Sequence, residues 1–317
     1  MSPKSSKLSK LIFALLTVSL LTSCATVPTS PTTNVNSAYT QTMPIIDRTG
    51  RIAYVEEVST VKGKISSLYT ITPDGSDRQL LAQIQGLIFS PAWSFDGKKL
   101  AYAVQLPKSH PRIFVHDIAT RKVQQVATPK GASLSPSFSP DGRYLLFSAS
   151  QNGNADIYRK SLVDGTTERL TTLKSTEVQP SYAPDGQSFV YVSDKARAGR
   201  AEVYRYTFAT GQTRKLKSGY SASPEVSRDG QKMGFLNGSQ ASVMTLATGN
   251  VTNFANTGLD EPARLSPSGR YAVYPIGSKM GNGSLVIRSL YSGVSYTISS
   301  KTGGRMRSPV WGVGSDD

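Results

Sequence analysis

The sequence has 317 residues, of which 38% are hydrophobic and 18% charged, and this balance excludes an intrinsically disordered chain and a polytopic membrane protein. Its single cysteine excludes intrachain disulfides and cysteine-rich metal sites, and its two histidines leave little material for a histidine-based catalytic or metal site. The formal net charge of +15 favours anionic surfaces or partners without bearing on the fold.

The N-terminal residues 1–23 have the pattern of a secretory signal peptide. Three lysines precede the apolar run 11–21, which is too short to cross about 30 Å of hydrocarbon as a resident helix. Residues 21–24, Leu-Thr-Ser-Cys, resemble the lipobox of bacterial lipoproteins. The resemblance implies cleavage before Cys24 and attachment of lipid, palmitate included, to that cysteine. Because several acyl chains anchor a protein stably where one is marginal, it also implies a permanent membrane anchor.

The residues after the cysteine indicate a location and a linker. Ala25 stands where an aspartate tends to retain bacterial lipoproteins in the inner membrane. We therefore expect an exported protein, lipid-anchored to the cell envelope at the periplasmic face of the outer membrane. Residues 24–43 are rich in Thr, Ser, Pro and Asn without periodicity or charge, which predicts a flexible tether with a reach of roughly 25 Å. Residues 44–317 form the predicted folded domain.

One repeat fills that domain. Its phrase contains a proline, a bulky residue, an Asp-Gly turn and an apolar strand, as in SPAWSFDGKKLAYAV from Ser90 and SPSFSPDGRYLLFSA from Ser135. Two further copies start at Gln179 and Ser223, and a weaker one starts at Ala263. The turn glycines recur at intervals of 39 to 45 residues, at Gly97, Gly142, Gly186, Gly230 and Gly269.

Each repeat predicts four short strands, A to D. Glycine supplies the positive φ of the turn between strands A and B, and aspartate caps its backbone, so we expect the repeated aspartates to form turns and not to act as catalytic acids. A unit of four antiparallel strands in about 40–45 residues is the blade of a β-propeller. We expect the bulky residues two places after the prolines to fill the wedges between blades; these are Trp93, Phe138, Tyr182 and Trp311.

The repeats predict an all-β fold, a six-bladed β-propeller of four-stranded antiparallel blades, with seven blades as the alternative. Residues 49–55 carry only the second half of the motif, and residues 308–311 carry only the first half. We expect the two halves to pair in one blade, because joining the chain ends closes the ring and removes an exposed edge.

The phrase Ser-Pro-Asp-Gly-Arg, followed by an apolar strand and by Ile-Tyr at 157–158, resembles the WD40-like repeats of the TolB family of periplasmic propellers. The resemblance covers residues 46–315 and is fullest over 136–158. It implies a propeller that docks a protein partner, such as a peptidoglycan-associated lipoprotein. Members of that family also carry an α/β domain ahead of the propeller. The tether occupies that place here, so the functions of that domain are not carried over.

The sequence offers no constellation for catalysis. His110 and His116 lack a third metal ligand, residues 281–283 lack the third glycine and the helix of a dinucleotide loop, and no Gly-x-Ser-x-Gly motif occurs. Residues 152–156 carry oxygen ligands of the calcium type, but a plain hairpin turn is the favoured interpretation. We therefore expect that the protein is not an enzyme and that it has no cofactor, catalytic residue or metal site.

In a propeller, the turns between strands B and C and the starts of strand A lie on one face, here named the loop face, which surrounds the mouth of the central channel. Its predicted rim is mostly basic, with an acidic minority that includes Asp260. The predicted partner-binding residues at this mouth are Glu177, Gln179, Lys195, Arg197, Arg200, Tyr220, Glu261, Arg305 and Arg307.

These features predict a non-enzymatic envelope lipoprotein whose propeller scaffolds protein–protein interactions. One alternative is a propeller enzyme that acts on a glycan or other small envelope substrate through axial carboxylates, for which Glu177 and Glu261 are the candidates. A second alternative is direct, charge-driven binding to peptidoglycan. Nucleic acid is not an expected partner of an exported chain without an aromatic and basic stacking platform.

Overall fold

The structure is a computed structural model that describes residues 50–314 apart from residues 62, 127, 129, 152, 258–260 and 279–280. The predicted signal peptide, Cys24 and the tether lie outside the described residues, as does Asp260. Within the described part of the chain, no helix has the length and apolar character that a membrane span requires.

The described residues form twenty-four strands arranged in six antiparallel four-stranded sheets, the blades. Blade 1 contains β1 (Arg51–Thr60), β2 (Gly63–Ile71) and β3 (Gln79–Gln85); blade 2 contains β4 (Leu87–Trp93), β5 (Lys99–Gln105), β6 (Arg112–Asp117) and β7 (Val123–Gln125); blade 3 contains β8 (Ser133–Phe138), β9 (Tyr144–Ala149), β10 (Asp156–Ser161) and β11 (Thr167–Arg169). Blade 4 contains β12 (Glu177–Tyr182), β13 (Ser188–Ser193), β14 (Glu202–Thr207) and β15 (Thr213–Lys217); blade 5 contains β16 (Ser221–Val226), β17 (Lys232–Asn237), β18 (Gln240–Thr245) and β19 (Val251–Asn256); blade 6 contains β20 (Arg264–Leu265), β21 (Tyr271–Ser278), β22 (Gly281–Ser289) and β23 (Ser295–Ser299).

The last strand, β24 (Arg305–Gly312), returns to blade 1 and pairs antiparallel with β1. In this register Ile52 lies opposite Trp311 and Ala53 lies opposite Val310. Each blade contacts the next around the ring, and blade 6 contacts β24. The prediction of six blades closed by the two chain ends is therefore confirmed, and the seven-bladed alternative is wrong.

The turn between strands A and B uses aspartate as predicted. In blade 2, Asp96 accepts a hydrogen bond of 2.6 Å from the Ser94 hydroxyl and one of 3.1 Å from the Lys98 amide, while Gly97 has a φ of +70°. The same arrangement occurs in blade 3, where the hydrogen bond from Ser139 lowers the pKa of Asp141. These carboxylates hold turns, because their oxygens are occupied by the chain on either side of the glycine.

A β-bulge bends strand A immediately before its proline. Five residues at this place have φ between +47° and +55°, and in each of these blades the pairing with strand B shifts register there. Blade 6 differs, because Pro262 stands at this position and the proline ring excludes positive φ. Its innermost strand is reduced to Arg264–Leu265. The residues in the left-handed conformation are Ser90, Ser135, Gln179, Ser223 and Ser308.

The hydrophobic core consists of clusters between neighbouring blades. Leu146 and Ile157 of blade 3, for example, pack against Phe189 and Tyr191 of blade 4. The predicted wedge residues Phe138, Tyr182 and Trp311 are at most 5% exposed, and Trp93 packs on the cluster between blades 1 and 2. Burial of each such side chain stabilises the ring by roughly 1.5–3 kcal/mol, so their role is structural as predicted.

Candidate functional site

The loop face carries most of the residues predicted to bind a partner, and the opposite face, here named the turn face, carries the Asp-Gly turns. The nine predicted residues divide into three groups in the structure. Some are buried between blades, some are half-buried and engaged, and three project into solvent.

Glu261 and Arg307 join blade 6 to the closing strand. The Nε of Arg307 lies 3.2 Å from Oε1 of Glu261, and its Nη1 lies 3.0 Å from Oε1 of Glu57. The amide of Ser308 donates a further hydrogen bond of 3.2 Å to Glu261. Glu261 is only 6% exposed, and this burial raises the pKa of its carboxyl group. The cluster holds the ring at its closure and is not an open docking site.

Glu177 lies between blades 3 and 4 and is fully buried. One carboxylate oxygen accepts hydrogen bonds from Ser175, at 2.5 Å, and from Ser193, at 2.9 Å, whereas Oε2 has no hydrogen-bond partner. Burial raises the pKa of Glu177, and the nearby Asp156 carboxylate adds to the rise. Neither Glu177 nor Glu261 lines the central channel. The pair of axial acids that the enzyme alternative requires is therefore not formed there.

Gln179, Lys195 and Arg305 are half-buried. Gln179 lies in the channel wall and accepts a hydrogen bond of 2.7 Å from the Ser223 amide of the next blade. Lys195 donates to Thr213 at 2.6 Å and lies 4.0 Å above the ring of Tyr204, and its burial lowers its pKa. These contacts make Gln179 and Lys195 part of the wall and its supports, whereas the buried Nε of Arg305 has no hydrogen-bond partner among the described residues.

Arg197, Arg200 and Tyr220 are the predicted residues that project into solvent. Asp194 fixes the loop of the two arginines, because its carboxylate accepts from the amides of Thr176, at 2.8 Å, and Gly199, at 2.9 Å. Tyr220 is 54% exposed, and the backbone bond from Ser221 to Ala201 holds it beside this loop. Arg197, Arg200 and Tyr220 are named here the arginine–tyrosine patch.

The acids around this patch do not face outward. Several carboxylates at the loop-face ends of the strands are at most 6% exposed, and each forms an ion pair with a basic side chain. The predicted acidic minority of the rim, represented by Glu177 and Glu261, is thus wrong for the described residues, since both groups are buried. The exposed charge at this patch is basic. The ion pairs are Glu56 with Arg78, Glu57 with Arg307 and Lys64, Asp156 with Arg169, Glu202 with Lys215 and, at 4.0 Å, with Arg200, and Glu261 with Arg307.

The central channel encloses about 1050 Å³ of space, part of it open to solvent, and is lined by the innermost strands of all six blades. Three of its lining residues are charged: Glu225, Arg228 and Arg264. Nη1 of Arg264 lies 3.5 Å from Glu225 and donates a hydrogen bond of 3.0 Å to the Ser223 carbonyl. Burial raises the pKa of Glu225. Sequence reasoning missed these residues, although Arg228 stands where three other copies of the repeat have a proline, at Pro140, Pro184 and Pro267.

The model of the protein family described as the TolB β-propeller domain matches residues 48–315, which is nearly the whole ring. The chain belongs to the TolB β-propeller family. The resemblance predicted from the Ser-Pro-Asp-Gly repeats is therefore confirmed.

Several TolB proteins are similar to this chain over most of its length. It is 32% identical over 281 residues to the Tol-Pal system protein TolB of Francisella tularensis subsp. holarctica strain OSU18, an alignment that covers 82% of this chain and 63% of the relative. It is 31% identical to the crystal structure of TolB from Acinetobacter baumannii, with a TM-score of 0.74 over 84% of this chain and 67% of the other. The chain thus spans less than two thirds of the Francisella protein.

More distant structures share the propeller fold. The putative TolB from Agrobacterium tumefaciens is 19% identical, with a TM-score of 0.59 over 78% of this chain and 88% of the other. An oligogalacturonate lyase in complex with manganese is 14% identical, with a TM-score of 0.51 over 72% of this chain and 74% of the other. At these identities the likeness concerns the fold alone.

The TolB-type ring described here contains no group of three or more His, Cys, Asp or Glu side chains that could hold a metal, as far as its described residues extend. At the hairpin considered for calcium, Asn154 donates its amide to the carbonyls of Leu173 and Ser175, and Asp156 pairs with Arg169. Asn152 lies outside the described residues. The described polar groups of this hairpin therefore tie it to the connection between blades 3 and 4.

Proposed function

We propose that the protein is a non-enzymatic interaction scaffold of the cell envelope that docks an acidic protein partner on its loop face. The observation that carries this proposal is the arginine–tyrosine patch. Arg197 and Arg200 are solvent-exposed on a loop held by Asp194, and Tyr220 is exposed beside it. The neighbouring acids Glu177 and Glu202 are buried. Aromatic and arginine side chains that are held in place contribute most to protein interfaces.

Membership of the TolB family supports an envelope partner. The relatives are named as proteins of the Tol-Pal system, and we infer that the partner here is Pal-like, a peptidoglycan-associated protein. Only the propeller supports this inference, because the aligned region covers 63% of the first relative and the rest of that protein has no counterpart in the alignment.

Docking can be tested by pull-down from envelope extracts with purified protein. We expect the double variant Arg197→Glu and Arg200→Glu to lose a partner that the wild-type protein retains, and Tyr220→Ala to weaken its capture. The matched control reverses two exposed basic residues of the turn face, Arg121→Glu and Lys122→Glu. Equal capture by the loop-face variant and the control variant contradicts docking at the patch.

We also propose that Cys24 is lipidated and that the tether holds the ring close to the periplasmic face of the outer membrane. The supporting evidence is the signal sequence and lipobox that precede the tether. Labelling of cells with a palmitate analogue is expected to mark the wild-type protein and not the variant Cys24→Ser. Detergent-phase partitioning and membrane fractionation then report the anchor and its membrane.

Direct binding to peptidoglycan remains a second candidate, favoured by the exposed basic charge of the loop face. A charge-driven mode weakens steeply with salt. Co-sedimentation with purified peptidoglycan across a salt series distinguishes the two functions, because binding that resists salt and persists in the arginine variant excludes the charge-driven mode.

A further inference from the structure

The channel has two chemically different walls. Trp93, Trp311, Val310 and Val313 form an apolar wall on the side of blades 1 and 2. Arg264 and Glu225 stand on the side of blades 5 and 6. The rest of the lining is mostly serine and proline, so the channel combines one apolar wall with polar groups that are fixed by the strands, as sites for small ligands or chain ends do.

Arg228 crosses the turn-face end of this channel. It belongs to the A–B turn of blade 5, and its Nη1 donates a hydrogen bond of 2.7 Å to the carbonyl of Phe95, in the A–B turn of blade 2. Blades 2 and 5 lie opposite one another in a ring of six. The guanidinium also lies 5.6 Å from the centre of the Phe95 ring. The contact therefore straps the opening from one side to the other.

The partners of Arg228 leave its charge uncompensated. Among the described residues, no carboxylate lies within ion-pair distance of its guanidinium, whereas Arg264 is paired with Glu225. A neutral carbonyl occupies one of its donors, and a planar guanidinium can offer two parallel hydrogen bonds to a carboxylate. The strap thus holds a solvent-exposed cation, without an ion-pair partner in the described part of the chain, at the entrance of a channel that has one apolar wall.

We propose that the turn-face end of the channel is a binding site for a carboxylate attached to an apolar group, with Arg228 as its receptor and as the strap that covers it. The carboxylate replaces the Phe95 carbonyl on the guanidinium, and the apolar group packs on Trp93 and Val313. A single negative charge fits, because the three charged lining residues sum to one positive charge. The site lies on the face opposite the arginine–tyrosine patch and does not depend on the docking proposal.

The two tryptophans of the sequence both line the channel, so selectively excited tryptophan emission reports on the surroundings of its apolar wall. We expect 4-methylpentanoate to change the emission of the wild-type protein saturably, and its neutral amide and inorganic phosphate to have no saturable effect. Arg228→Gln is expected to weaken binding at least about tenfold, since a charge-assisted hydrogen bond is lost. Arg228→Lys is expected to retain part of the affinity.

The matched control is Arg270→Gln, which removes an exposed arginine of the turn face outside the channel lining. This variant is expected to bind 4-methylpentanoate like the wild-type protein. Four results would contradict the site. The wild-type protein could show no saturable response, or it could respond equally to the acid and the amide. It could also respond saturably to phosphate, or the two glutamine variants could lose affinity equally. Circular dichroism confirms that each variant is folded.

The contact between Arg228 and Phe95 can be tested separately from ligand binding. Quenching of tryptophan emission by acrylamide, a neutral probe, is expected to increase in Arg228→Gln because the opening is no longer covered. It is expected to stay at the wild-type level in Arg270→Gln. Unchanged quenching in Arg228→Gln overturns the strap, whatever the result with the carboxylate.

Discussion

His116 is a single residue whose burial makes the stability of the ring depend on pH. It is 3% exposed, and neither ring nitrogen has a hydrogen-bond partner. Burial lowers its pKa; Asp117 opposes this effect and Arg121 adds to it. The folded state therefore binds a proton less readily than the unfolded state, in which histidine has a pKa of about 6.5.

We therefore expect the free energy of unfolding to fall as pH decreases below about 6.5, and His116→Leu to reduce that loss. Urea unfolding of both proteins at several values of pH between 7.5 and 5 provides the measurement. Glu177, Glu225 and Glu261 have raised pKa values and act in the opposite direction. Because both proteins contain them, the difference between the two curves isolates the histidine. Parallel curves would show that His116 does not titrate in this range.

At the scale of elements, the side chain of Arg307 matters most for the closing strand. It compensates two carboxylates, Glu57 and Glu261, that are 4% and 8% exposed at their side chains. We expect Arg307→Ala to lower the free energy of unfolding by about 3–5 kcal/mol, because it leaves the buried Glu261 without its ion-pair partner, whereas Glu57 keeps Lys64 at 3.7 Å. Arg143→Ala, which removes an exposed arginine of an A–B turn, is the control and is expected to cost less than about 1 kcal/mol. Equal costs in chemical denaturation contradict this role.

The elements also show how far the sequence could predict the site. The strands and turns were predictable because a period of two, an Asp-Gly turn and a proline recur in the repeat. Burial of Glu177 and Glu261 was not predictable, because Glu177 begins β12, Glu261 lies just before β20, and contacts distant in the sequence cover both. Arg228 was missed because only closure of the ring brings it to Phe95, which is 133 residues away in the sequence.

For the whole molecule, ring closure by the two chain ends predicts cooperative loss of structure. Removal of residues 305–317 deletes the innermost strand of blade 1 and with it Met306, Val310 and Trp311, which are all less than 10% exposed. We expect calorimetry to show no cooperative thermal transition in this variant. Truncation after Gly314 leaves β24 intact and is expected to preserve the transition. A normal transition in the longer truncation would contradict closure by β24.

Pro262 has a consequence for motion. Five blades share the left-handed residue before the proline, and blade 6 lacks it, so its innermost strand forms a short ladder through Arg264 and Leu265. This interruption adjoins the seam where β24 returns. Because short ladders open locally at low free-energy cost, we expect hydrogen–deuterium exchange to be faster at Val273 than at Val190, its counterpart in blade 4. Local opening would then be concentrated in blade 6, next to the point where β24 closes the ring, while the other five blades stay rigid.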